Sequence, residues 1–142
     1  MDYAYPVRYF AGDGRIQVRF PDVPEALTEG DDREDAQTQA LDCLVAALGS
    51  YVKRRLPMPT PSEPKRGQSL VALSPLIAAK CALYQAMRAR RLTVAGFASR
   101  LGVAETAVRR LIDLDHRSHI GEVEAALARL GKRLVVRDLD AA

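Results

Sequence analysis

The sequence predicts an α+β protein in two domains. A small antiparallel sheet packed by one long helix comes first, and an all-α helix–turn–helix domain ending in a strand follows. Three observations carry this reading. Apolar side chains alternate with period two between Tyr3 and Phe20, as half-buried strands require. From Ala36 to Val52 they recur at three- and four-residue steps, the stripe of a helix laid on one face of a sheet. After Ser74 the runs are short, helical and punctuated. The domains are therefore placed at 1–73, including a Pro-rich connector at 57–67, and at 74–142.

In order, Tyr3, Tyr5, Val7 and Tyr9 alternate with Ala4, Pro6, Arg8 and Phe10, and the proline suits an edge strand. Ala11-Gly12-Asp13-Gly14 is a turn, and Ile16, Val18 and Phe20 return as the second arm of a hairpin. Pro21-Asp22-Val23-Pro24 ends that arm, and Ala26–Thr28 is a short third strand. Asp31 or Asp32 caps the long helix, with Glu34 and Asp35 in its first turn. Its stripe is Ala36, Ala40, Cys43, Leu44, Ala47, Leu48, Tyr51 and Val52, and Lys53, Arg54 and Arg55 close it. Pro57, Pro59, Pro61, Pro64 and Gly67 make an extended connector. Ser69–Leu73 reads as a fourth strand.

Ser74-Pro75 is a strong helix start, serine at the cap and proline at the first helical position. That helix runs to Arg90 with Leu76, Leu83 and Met87 on one face and Ile77 and Tyr84 beside it. Leu92–Asp115 then divides into a run from Val94 to Leu101 capped by Thr93, a corner at Gly102-Val103, and a run from Glu105 to Leu114. Ala98, Leu101 and Val103 are expected to face Val108 and Leu111 across the corner. The second helix then presents Glu105, Thr106, Arg109 and Arg110 outward, a face suited to a major groove. A last helix, Ile120–Leu130, turns Val123, Leu127 and Leu130 inward and ends at Gly131. Lys132–Asp138 has strand character and no partner within a helical domain, so pairing with a second copy is expected.

A chain of 142 residues, 48% hydrophobic and 27% charged, has the composition of a globular protein of one or two domains. No apolar run reaches the ~20 residues of a bilayer span, and MDYAYPVRYF has no basic region followed by an apolar core. A cytoplasmic location is expected. Cys43 and Cys81 both fall on apolar helical faces and read as buried free thiols. The net charge of +3 hides an asymmetry. Residues 1–62 hold seven Lys and Arg against ten Asp and Glu, and residues 63–142 hold fourteen against eight, giving −3 and +6. The basic half coincides with the helix–turn–helix, which strengthens the nucleic-acid reading.

LTVAGFASRLGVAETAVRRLI resembles the helix–turn–helix of the lambda-repressor-like (Xre) transcription factors, with Val94 and Ala104 where those proteins usually carry glutamine and serine or threonine. The first half, with Pro21-Asp22-Val23-Pro24, Gly30-Asp31 ahead of a long helix and the exit Pro57–Pro61, resembles the HicB family, the antitoxins of HicA–HicB toxin–antitoxin pairs. DHRSHI at Asp115–Ile120 is similar to family members with a helix–turn–helix tail. The resemblance implies an N-terminal domain with a degraded RNase H-like fold that binds and blocks a small mRNA-cleaving HicA toxin. It further implies a C-terminal domain that binds the operator of its own operon as a dimer or larger assembly. An acidic surface suits a basic RNA-binding partner.

Candidate DNA contacts are Arg109 and Arg110, Glu105 and Thr106 near the helix start, Thr93, and Arg117, Ser118 and His119 at the entry of the last helix. There hydroxyl and cationic groups can hold phosphate oxygens. The plain alternative is a solvated charged face. His116 and His119, with Asp113 or Asp115, invite a metal reading, but a full ligand set is not evident and no cofactor is called for. Asp13, Asp22, Glu25, Asp31, Asp32 and Asp35 occupy turns and a helix cap, where carboxylates need no catalytic explanation, so an enzyme is not expected. Toxin contacts are sought in Glu29, Asp31 and Asp32 and in the strand tyrosines Tyr5 and Tyr9. A third reading is a free-standing repressor whose first domain senses a small molecule in a pocket lined by that aromatic strand.

Overall fold

The structure, a computed structural model, describes residues 1–140. The chain divides into two compact units. Of the described residues, one unit holds Met1–Tyr51 with Met58–Leu73; the other holds Val52–Pro57 with 74–140.

In the first unit, strands β1 (Ala4–Gly12) and β2 (Arg15–Arg19) form the hairpin, β3 (Leu27–Gly30) follows, helix α1 spans Arg33–Lys53, and β4 is Ser69–Ala72. The hairpin turns on Asp13 and Gly14, both at positive φ (50° and 73°), as a two-residue turn matched to the strand twist requires. All pairings are antiparallel in the order β3-β2-β1-β4. β1 is therefore an inner strand, not the edge strand that Pro6 suggested. The proline is accommodated because β1 pairs with β4 only over Ala4–Val7 and with β2 only over Arg8–Gly12. Tyr3 O accepts from Leu73 N at 2.9 Å. Backbone groups alternate sides along a strand, so the Pro6 nitrogen faces away from β4, where no ladder bond is missed.

α1 covers one face of the sheet. Ala36, Ala40, Leu44 and Leu48 are wholly buried, while Cys43, expected to be buried, is half-exposed, its thiol 3.6 Å from Leu27 O. Asp32 caps the helix: its Oδ1 accepts from Asp35 N, and Asp35 Oδ2 accepts from Asp31 N, both at 2.8 Å. This reciprocal arrangement satisfies two orphan donors.

The Pro-rich segment is packed rather than free. Met58 is buried, and the Tyr5 hydroxyl donates to Pro59 O at 2.7 Å. Ser62 donates from both N and Oγ to Asp22 Oδ2 at 2.8 and 3.0 Å.

The second unit is helical: α2 (Pro75–Ala89), α3 (Val94–Leu101), α4 (Glu105–Ile112) and α5 (Ile120–Arg129). α2 packs on α4 and α5, and α3 packs on α4. Leu83, Met87, Phe97, Val108, Val123 and Leu127 are central to their shared core, each such side chain contributing roughly 1.5–3 kcal/mol on burial. Arginines complete helix ends: Arg90 donates to Leu130 O, and Arg129 donates to Arg100 O at 3.0 Å. Ser74 Oγ accepts from Ile77 N at 3.4 Å, and Pro75 occupies the first turn.

Lys132–Asp138, expected as a strand, carries no strand in the single chain. A strand exists only as part of a ladder, and none of β1–β4 pairs with this segment. Val135 and Val136 stand 83% and 67% exposed.

Candidate nucleic-acid interface

Thr93 Oγ1 accepts from Gly96 N at 2.9 Å and starts α3. Gly102, at φ 68°, ends it in the left-handed conformation that glycine adopts without strain. Gly102 N donates to Ser99 O at 3.3 Å and Val103 N to Ala98 O at 3.1 Å, the paired bonds of a Schellman closure. Ala98, Val108 and Leu111 are buried as expected, and Leu101 is half-buried. Val103 is not in that contact. It stands 45% exposed because the closure commits its N–H to the end of α3 and leaves its side chain on the outside of the corner.

α4 opens at Ala104 with no side-chain cap, and Glu105 supplies negative charge to its first turn. Glu105, Thr106, Arg109 and Arg110 are all exposed. Arg109 Nη2 lies 3.4 Å from Glu105 Oε2 one turn away, so Arg110 is the less encumbered of the two guanidinium groups.

Lys80, which belongs to none of the sequence motifs, lies beneath the end of α4. It is wholly buried on α2, and its ammonium donates to Arg110 O at 2.5 Å and to Ser118 Oγ at 2.8 Å. Ser118 Oγ in turn lies 3.2 Å from Arg110 O and 3.0 Å from His116 Nδ1. Burial lowers the Lys80 pKa from its ordinary value, while Asp113 and Glu122 pull it back up. The signal was a lysine inside the apolar run Ala78-Ala79-Lys80-Cys81-Ala82, since a lysine there must be paired or deprotonated.

The same network corrects an expectation. Ser118, expected to hold phosphate, has its hydroxyl bonded instead to the Lys80 ammonium and Arg110 O. Arg117 and His119 remain exposed, and His119 stands at the N-cap of α5 without a side-chain cap bond. Thr93 is exposed at the start of α3 with its hydroxyl in the capping bond. Among the described residues, no three His, Cys, Asp or Glu side chains come together as a metal site.

In the first unit, Glu29, Asp31 and Asp32 are exposed. Arg15 bridges the first two, 3.6 Å from Glu29 and 3.2 Å from Asp31. Tyr9 is half-buried with the Arg33 guanidinium 4.0 Å from its ring centre. Burial raises the Tyr9 pKa, and the Arg33 charge opposes that rise. Tyr5 is different: it is wholly buried with its hydroxyl bound to Pro59 O, so it offers a partner no surface. Alternation could not separate Tyr5 from Tyr9, because the covering segment comes from far along the chain.

A sheet-and-helix unit joined to a four-helix unit with an exposed cationic helix places the chain in a class of two-module α+β proteins. Within that class its affiliation is specific. Residues 3–82 match the model of the HicB-like antitoxin family of bacterial toxin–antitoxin systems. Antitoxin HicB 2 of Photorhabdus laumondii is 39% identical over 130 residues, which span 92% of each chain. Antitoxin HicB 1 of the same organism is 36% identical, over 87% of this chain and 79% of its own length. Antitoxin HicB of Escherichia coli K12 is 32% identical, over 92% and 95%. The chain belongs to the HicB-like antitoxin family. No described helix is long and apolar enough to cross a membrane.

Proposed function

We propose that this antitoxin neutralises a small HicA-type, mRNA-cleaving toxin through residues 1–73 and represses its own operon through residues 74–142. The observation that carries the second half is the exposed α4 face, where Arg109 and Arg110 stand beside Glu105 and Thr106. Base edges would be met from the start of α4, and phosphates by Arg110, Arg117 and His119. Support for the first half comes from the acidic surface Glu29, Asp31 and Asp32, with Tyr9 nearby, which complements a basic RNA-binding partner. The reading makes the chain a binding protein and not an enzyme.

Operator binding by a helix of this kind calls for two copies. The exposed segment Lys132–Asp138 would supply the seam by pairing with itself across a two-fold axis. A chain truncated at Gly131 that stayed dimeric would remove that role.

The test is co-expression with the adjacent short reading frame, followed by purification through a tag on this chain. A small basic protein that co-purifies, and that is toxic alone, supports the first half. Upstream DNA titrated at two salt concentrations tests the second, because phosphate contacts weaken as salt rises. Absence of any co-purifying protein would overturn the toxin reading, and absence of salt-dependent DNA binding would overturn the operator reading.

A further inference from the structure

We infer that Lys80 is a positioning residue for DNA recognition, an internal charged pin that sets the pose of α4 and of the 113–119 loop. The inference rests on the operator-binding reading above. Arg110 O lies in the last turn of α4, where backbone donors run out. Lys80 Nζ and Ser118 Oγ, from two other parts of the chain, converge on that one carbonyl. They also bond each other at 2.8 Å, so α2, the end of α4 and the loop are tied at a single point.

A buried ammonium is a demanding way to fill a helical core. A methionine of similar length would avoid the desolvation penalty altogether. What a methionine cannot do is fix a direction, whereas hydrogen bonds to a carbonyl and a hydroxyl hold only over a narrow range of angle and distance. The residue held is the one whose side chain lies on the exposed face: Arg110 presents its carbonyl to Lys80 and its guanidinium to solvent. Arg117 precedes the pinned Ser118 directly. One buried charge therefore sets the backbone beneath two exposed arginines while itself touching no surface.

Lys80→Met, Lys80→Gln and Arg110→Ala in the full chain separate positioning from contact. Each is titrated against upstream DNA and against random duplex at several salt concentrations, with thermal melts run alongside. Lys80→Met is expected to bind upstream DNA about tenfold more weakly, because a reoriented α4 misplaces the base-reading Glu105 and Thr106 at its start, with little change on random duplex, where long arginines still reach phosphates. Its salt slope stays that of the parent, since no phosphate contact is removed. Arg110→Ala, by contrast, lowers the slope by about one. Lys80→Gln keeps a donor for Arg110 O and is expected to recover part of the discrimination. A cooperatively folded Lys80→Met with the parent's affinity and discrimination overturns the inference. If that variant does not fold, Ser118→Ala decides by the same two readouts. A parent chain that binds no upstream DNA sinks the operator reading itself, and the inference with it.

Discussion

Gly30 and Ala36 are so close that a Cβ on Gly30 would sit 2.3 Å from the Ala36 backbone nitrogen and 2.6 Å from its Cα. The end of β3 thus meets the first turn of α1 backbone to backbone. Neither atom belongs to a flexible side chain, so any larger residue must push the helix off the sheet. Gly30→Ala is expected to destabilise the chain by about 3 kcal/mol, the upper part of the overpacking range. Denaturant unfolding measures it, and a loss within experimental scatter would mean that α1 can shift at little expense.

Asp22 has a structural task that its place in a Pro-Asp-Val-Pro segment does not reveal. One carboxylate oxygen receives both the amide and the hydroxyl of Ser62, fastening the Pro-rich segment to the turn after β2. Asp22→Ala is expected to cost about 1 kcal/mol, the usual net worth of such bonds near the surface. Faster proteolysis between residues 57 and 67 should accompany it. Metal-dependent cleavage of RNA by the parent chain that this substitution abolished would instead make Asp22 catalytic.

The Asp35 carboxyl is held below its ordinary value of 3.8, first by the Asp31 amide and then by Gln39, against an opposing effect of burial, with the Arg15 charge contributing least. A carboxylate favoured in the folded state contributes stability that is present above the unfolded value. That contribution is lost as pH falls below 3.8 through the folded one. Melting temperature should drop over that acid range, and Asp35→Asn should flatten the drop. Equal acid sensitivity in both chains would show that this cap is not what titrates.

Local chemistry made much of this molecule legible in the sequence. The Asp13-Gly14 turn, the Ser74-Pro75 start, the Thr93 cap and the Gly102 corner each announce themselves within four residues, because backbone sterics and capping are short-range. What stayed hidden depends on distant partners. The covering of Tyr5 by Pro59, the inner place of β1 and the engagement of Ser118 all join residues far apart in sequence or strands in a particular order. The α4 face was readable from its spacing, whereas the lysine beneath it belongs to another helix.

The two thiols should differ sharply. Burial pushes the Cys81 thiol up to about 12 and also raises half-exposed Cys43. Thiolate is the reactive form, so a thiol reagent at pH 8 should modify Cys43 slowly and Cys81 only after denaturant is added. Because the folded state favours the neutral Cys81 thiol, its contribution to stability is intact below the ordinary value of 9.0. It fades as pH climbs from there toward about 12. Modification of both thiols at one rate in the native chain would mean that α2 opens readily.

Glu105 sits one turn before Arg109 with 3.4 Å between Nη2 and Oε2, and under the proposed operator binding two effects compete. If the pair merely restrains Arg109, Glu105→Met, which removes both the charge and the acceptor, frees a cation. Affinity for random duplex should rise about two- to fivefold, in line with the modest strength of exposed pairs, and upstream DNA should gain equally. If Glu105 accepts from a cytosine amino group, random duplex still gains but upstream DNA loses, so discrimination collapses. Comparing the two duplexes at matched salt separates these outcomes. We expect the second, because α4 places Glu105 in its first turn, the end of such a helix that meets base edges. Equal gains on both duplexes would assign Glu105 to restraining Arg109 alone.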